Sequence, residues 1–390
     1  MMLPPDRRHR AVALCILSLA VARAAAVELE PIPPGEFAVA TTHFAVREQA
    51  DAKAMFAFLN GKVSATGTQY LTDILVHPEA VPTVQVEVPA DAALYGAQAG
   101  TRLPLVLLVA YPTTRDNPRA GYKFPYRETG DALFTHMQQP GDKPLFANST
   151  AKYPLILLSG GYNTHSLWHL SHMKALAAHG YIVADMLHGD GRGTSFPSNL
   201  ALRCLQVRAT LDFLLRDRDF GPAIDPARIG ITGESAGGHT AAAALGGVDS
   251  AGRIPAGAEA RIKAGFGLVP FFGASFGIWP FKQELWYFGE DHAGLRRVDR
   301  PFMAVYGADD SNVPPEGVEA ALRAMGGPAT AIMLDGEKHL VSDAAAGDIR
   351  TWEILFFNAW LRGDATARQQ LAAASSVRGG VNDHVTIRRP

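Results

Sequence analysis

From Thr83 onward the chain alternates short apolar runs with segments of helical period, and this rhythm restricts the possible folds more than any other feature. Thr83–Val88 and Leu103–Ala110 read as strands, and Leu155–Leu158 as a strand covered on both faces, because it has no polar alternation. Leu167–His179 follows as a helix stopped by Gly180, and Tyr181–Met186 as the next strand. The series continues with helix Asn199–Leu215, strand Arg228–Thr232, the Ala-rich helix Gly237–Leu245 and strand Ala264–Val269. Strand Pro301–Tyr306, helix Pro315–Ala324, strand Ala329–Leu334 and helix Asp348–Leu361 complete it. Alternation of this kind predicts an α/β fold: a mostly parallel, doubly wound sheet with helices on both faces.

The segments outside this series read differently. Arg7, Arg8 and Arg10 precede the apolar stretch Ala11–Val21, and small residues at 22–26 offer a cleavage site, so residues 1–26 are expected to be a signal peptide. The apolar run is too short to span a membrane, which takes about 20 residues, and no later stretch qualifies, so an exported chain with no membrane span is expected. Residues 27–100 form an N-terminal extension of unclear role, with a short helix expected over Asp51–Leu59. The main domain is expected over 101–362 and a loosely held C-terminal tail over 363–390. Tyr111–Lys152 reads as a long Gly/Pro-rich loop. With Cys15 in the signal, Cys204 stands alone, without an internal disulfide partner, and reads as buried packing rather than as a nucleophile.

Composition narrows the partners. Only 19% of the 390 residues are charged, and 36 Lys and Arg against 38 Asp and Glu give a formal charge of −2. A basic footprint for nucleic acid or an anionic membrane is missing.

The sharpest local signal is Gly233-Glu234-Ser235-Ala236-Gly237, between a strand and a helix. A serine hydroxyl gains reach as a nucleophile on a tight strand-to-helix turn, and such a turn leaves room only for small residues two positions before and after it. Acyl transfer also needs donors aimed at the developing oxyanion. Ser159-Gly160-Gly161-Tyr162 follows a buried strand, so the backbone N–H groups of Tyr162 and Ala236 are the expected pair. A base and an acid should follow the serine from other strand ends, since catalytic groups gather at the carboxyl ends of strands in open parallel sheets. The loop Gly307–Pro314 supplies Asp310, favoured over Asp309, and the loop Asp335–His339 supplies His339.

These residues resemble the α/β-hydrolase superfamily. Leu155–Asp190 looks like the group of platelet-activating-factor acetylhydrolases, cutinases and bacterial polyesterases, whose members carry a Ser-x-Gly-Tyr or Ser-His-Gly loop, a helix and a His-Gly-Tyr/Phe-Val-Val strand start. The resemblance covers about residues 100–362 and departs at the serine, where Glu234 and Ala236 stand in place of the His or Trp and the Met of many relatives. It implies a Ser235, Asp310, His339 triad, an oxyanion hole at Tyr162 and Ala236, and carboxylic ester hydrolysis without a cofactor. A small-molecule or polymeric ester is the implied partner. A peptidase or amidase on the same triad, or a catalytically silent binding protein on the same fold, are the competing readings.

Three further features are weighed against plainer roles. His165, His169 and His172 recur at helical spacing beside Trp168, but no carboxylate or cysteine completes a metal set, and no metal is expected. Gly189–Gly193 lacks the Lys-Ser/Thr of a phosphate loop and reads as a turn. The aromatics Phe271–Phe288, in a cap-like insertion at about 270–298, serve either as an acyl pocket or as cap packing, and Trp168, Trp279 and Trp286 are candidate substrate contacts.

Overall fold

The computed structural model describes residues 27–43, 84–126, 130–138, 142–164, 166–190, 195–253, 258–276, 283–285 and 287–390. The expected signal peptide, the helix over Asp51–Leu59, His165, Trp279 and Trp286 lie outside them.

Among the described residues the main sheet has ten strands. In chain order they are β1 (Ala38–His43), β2 (Val84–Glu87), β3 (Arg102–Thr113), β4 (Tyr153–Ser159) and β5 (Ile182–Leu187). Then come β6 (Ile224–Glu234), β7 (Ile262–Leu268), β8 (Phe302–Gly307), β9 (Ala329–Leu334) and β10 (Asp383–Arg389). Their spatial order is β1-β3-β5-β4-β6-β7-β8-β9-β10, with β2 also paired to β3. The six strands from β5 to β9 run parallel, whereas β1, β2, β3 and β10 pair antiparallel, so the sheet is mixed with a parallel centre.

The parallel centre follows from its residues. Every residue of β4, sequence YPLILLS, is buried, and the strand's period of two sends Leu155 and Leu157 into one core and Ile156 and Leu158 into the other. The first core is closed by Leu200, Val207, Leu211 and Leu214 of α2 (Phe196–Arg216), by α3 (Ala236–Ala244), and by Val318, Ala321 and Leu322 of α4 (Pro315–Ala324). The second is closed by α1 (Leu170–Ala178) and by Ile349, Trp352 and Phe356 of α5 (Ala346–Trp360). Helices therefore cover both faces. All of α3 is buried, which explains its Ala-rich sequence: only small side chains fit a helix packed on all sides.

Register aligns the carboxyl ends of the central strands. Ser159 lies opposite Gly233, Leu268 opposite both Glu234 and Val305, and Gly307 opposite Leu334. The loops after β4, β6, β8 and β9 thus leave from one sheet edge. Strand order reverses between β4, which continues to β5 on one side, and β6 on the other, the crevice where open α/β sheets place their ligands.

Two expectations need correction. The segment after Gly363 is not a loose tail: α6 (Ala365–Ala373) leads to a strand at Ala374–Val377 and to edge strand β10. Arg389 from β10 donates to the carbonyls of Leu322, Arg323 and Met325, capping the carboxyl end of α4. A polar sequence without an apolar run hid this strand, which pairs with β9 on one side only and is tied to Ala374–Val377 by Arg388 and Asp383. The loop at Tyr111–Lys152 likewise contains an antiparallel hairpin, Tyr122–Tyr126 with Gly130–Phe134.

Candidate active site

Ser235 stands between β6 and α3 with φ 51° and ψ −114°, a backbone conformation that a residue with a Cβ adopts only under constraint. The constraint is visible. Its N–H donates to Leu268 O at 2.9 Å, and its carbonyl accepts from Phe271 N and Gly238 N, both at 2.9 Å. The two glycines of the motif are required by contact: a Cβ on Gly233 would lie 2.2 Å from the Gly237 backbone, and one on Gly237 1.7 Å from Ser159 O. Small residues at these positions let α3 start directly against the ends of β4 and β6, which lifts Ser235 above the sheet edge.

His339 and Asp310 reach the same point. His339 Nε2 lies 3.0 Å from Ser235 Oγ, and His339 Nδ1 lies 2.8 Å from Asp310 Oδ2. Asp310 Oδ1 accepts from Asn312 N and Val313 N at 2.8 Å each, which fixes the carboxylate while its other oxygen faces the imidazole. The Asp310 side chain is fully buried and that of His339 is mostly so. The neighbouring Asp309 is exposed, with its backbone N–H bonded to Glu337 O, so geometry selects Asp310. Glu337 holds the histidine loop closed by accepting from Ser342 N and Ser342 Oγ, both at 2.6 Å. The Nδ1 contact to a carboxylate leaves Nε2 to accept the serine proton.

The Ser159–Asn163 loop passes beside Ser235: a Cβ on Gly161 would stand 3.7 Å from Ser235 Cβ. Ala236 is the first residue of α3, so its N–H has no partner within the helix and lies at the positive end of the helix dipole.

Beneath the elbow lies a charged cluster that motif reasoning did not find. His169 Nε2 is 2.8 Å from Glu234 Oε2 and His169 Nδ1 is 3.7 Å from Asp185 Oδ2. His172 Nε2 is 2.6 Å from Glu353 Oε2, a close contact without hydrogen-bond alignment, and Glu353 also accepts from Thr232 Oγ1 at 2.5 Å. Burial opposes charge on His169, but Asp185 and Glu234 outweigh it and raise its pKa to about 10. Burial would also raise Glu234, yet the His169 bond and charge, with His339 and His172 nearby, hold it below the usual carboxylate value. The three histidines singled out by spacing therefore have, where described, carboxylate neighbours contributed by other elements. The missed signal was Glu234 itself, a charge inside an otherwise apolar strand-turn-helix.

Of the aromatic insertion, Phe271, Phe272 and Phe288 are buried in the first core. Phe288 stacks on the buried His239 at 4.5 Å and Tyr287 meets the same ring edge-on at 4.3 Å. These members pack into the first core, against α3. Trp168 is 38% exposed, one residue before His169. Cys204 is buried in α2, and burial pushes its thiol up to about 12.

Compared with known proteins, the chain matches no family model and no curated protein. No helix among the described residues is long and apolar enough to cross a membrane.

Proposed function

We propose that the protein is an exported serine esterase of the α/β-hydrolase kind that hydrolyses neutral carboxylic esters through an acyl-enzyme. The single observation that carries this reading is the unbroken chain Ser235 Oγ, His339, Asp310, with contacts of 3.0 and 2.8 Å, on a strained turn at the switch point of the sheet. The strand order, with an antiparallel strand inserted before the parallel centre, supports the fold reading.

In this mechanism Ser235 Oγ attacks the ester carbonyl as His339 Nε2 takes its proton, and the carbonyl electron pair moves onto oxygen. The Tyr162 and Ala236 N–H groups receive that oxyanion. Collapse breaks the bond to the leaving alkoxide, which His339 protonates. Water then attacks the acyl-serine by the same route, with His339 again the base, and carboxylate and free serine are released. Asp310 holds the imidazole tautomer and offsets its positive charge. Two exposed apolar side chains, Trp168 and Leu340, the latter 68% exposed beside His339, support a preference for neutral acyl groups of the kind lipases, cutinases or polyesterases accept.

A hydrolysis panel tests this. An alkoxide leaves a tetrahedral intermediate more readily than an amine, so kcat/KM for a short or medium acyl aryl ester should exceed that for the matching anilide by at least about a hundredfold, roughly 2.7 kcal/mol. Comparable rates would favour an amidase, and no turnover of either would refute the proposal.

A further inference from the structure

Arg203 projects from α2 and is 1% exposed, one of the largest fully buried side chains among the described residues. A buried guanidinium has to be paired and fully hydrogen-bonded to be tolerated, so its partners report what it is for. It grips Asp190 two-pronged, Nε to Oδ1 at 3.1 Å and Nη2 to Oδ2. Its remaining donors point into the loop after β4: Nη1 to Gly160 O at 2.7 Å and to Ser159 Oγ at 3.5 Å, and Nη2 to Gly161 O at 2.9 Å.

The other members of that loop are tied to the same stretch of chain. Asp190 Oδ2 accepts from Asn163 N at 3.1 Å. Asn199 Nδ2 donates to Asp190 O at 2.9 Å and to Tyr162 Oη at 3.2 Å. Ser159 Oγ lies 2.8 Å from His188 Nε2, and His188 Nδ1 bonds Gln206 Oε1. Burial, and then the charge of Arg203, lowers the His188 pKa to about 3, so the ring is neutral. Its Nδ1 donates to the Gln206 oxygen and its Nε2 accepts the Ser159 hydroxyl proton. Five consecutive residues, Ser159 to Asn163, are thus fixed from one side by Asp190 and by side chains at the start of α2 and just before it.

The direction of these bonds has a chemical consequence. In a trans peptide the N–H of a residue points opposite to the preceding carbonyl. Holding the Gly160 carbonyl toward Arg203 therefore turns the Gly161 N–H away from it, and holding the Gly161 carbonyl turns the Tyr162 N–H away. Thr164 reinforces the second carbonyl through its N–H at 3.3 Å and its Oγ1 at 2.9 Å. Among the described residues the Tyr162 N–H donates to no protein acceptor, and the loop flanks Ser235.

We propose that Arg203, paired with Asp190, is a positioning residue that orients the oxyanion-binding Tyr162 amide of the Ser159–Asn163 loop. The inference rests on the serine-esterase reading above. Arg203 touches no reacting atom; it fixes two peptide planes, and the Tyr162 N–H on the second needs no reorientation when charge develops on the substrate oxygen.

Two variants and two substrates test it. Arg203→Lys keeps the charge opposite Asp190 but replaces a planar fork with a point donor, and the double variant R203Q/D190N removes both buried charges while keeping polar groups. Each is assayed on an aryl ester and on its thionoester, whose sulfur accepts hydrogen bonds poorly and depends less on the amides. For both variants kcat on the ester should fall by about tenfold to a thousandfold, with KM within about threefold and with the ester-to-thionoester rate ratio falling in parallel. Equal losses on the two substrates, unchanged kcat, or failure of both variants to fold would assign the pair to general packing and overturn the inference. Absence of ester turnover in the unmodified chain would instead refute the esterase reading itself.

Discussion

At the residue scale, charge is placed where few sequence signals reveal it. Beside Ser235, the buried His169 sits between Glu234 and Asp185, and its pKa is raised to about 10 although burial acts against the charged form. An unfolded histidine titrates near 6.5, so between about pH 6.5 and 10 the folded chain keeps a proton that the unfolded chain has released. The stabilisation is complete below about pH 6.5 and is lost as pH rises through the folded value. Urea unfolding from pH 6 to 10 should therefore show stability falling by on the order of 4 kcal/mol, and His169→Gln should flatten that slope. A variant with the slope of the unmodified chain would contradict the assignment. Ser235, Asp310 and His339 were readable as positions because each ends a strand in a loop of distinctive composition. The carboxylates that meet the spaced histidines, Asp185, Glu234 and Glu353, were not, because pairs separated by up to 181 residues meet only after the sheet forms.

At the element scale, the contact between the end of β4, the end of β6 and the first turn of α3 sets the position of Ser235. A Cβ on Gly237 would lie 1.7 Å from the Ser159 carbonyl oxygen, a backbone atom with no room to retreat, whereas one on Gly317 in α4 would meet nothing within 4 Å. Gly237→Ala should cost about 3 kcal/mol or more and displace the serine. Gly317→Ala should instead stabilise by about 0.5–1 kcal/mol, as expected for glycine replaced inside a helix. Thermal unfolding of the two variants checks the pair, and similar shifts for both would show that the close packing at the elbow is not what constrains it. The central elements were legible from period and apolar content: α4 and β9 fall at Pro315–Ala324 and Ala329–Leu334, as the pattern predicts. Short hairpins and edge strands were not, because their sequences carry no continuous apolar run; β10 and the pair Tyr122–Tyr126 with Gly130–Phe134 are the examples.

At the scale of the whole molecule, the two ends of the described chain are tied together. Val27–Leu29 pairs in parallel with Ala374–Val377, Arg378 bonds Glu28 and Glu30, and Trp352 from α5 donates to Asp383 at the start of β10. These ties brace the β9 side of the sheet, which carries His339, against the helix behind it, and they explain how a chain with a single described cysteine is held by packing and register rather than by cross-links. The sheet in turn brings four loops to one edge, and the proposed chemistry depends on that convergence. The most direct test is covalent: the chain is treated with a fluorophosphonate, digested and mapped by mass spectrometry, beside Ser235→Ala. The account predicts about one adduct per chain, located on Ser235, with labelling lost in a Ser235→Ala variant that unfolds at the same temperature. An intact folded chain that takes no label, or a label that persists on another residue in Ser235→Ala, would contradict it.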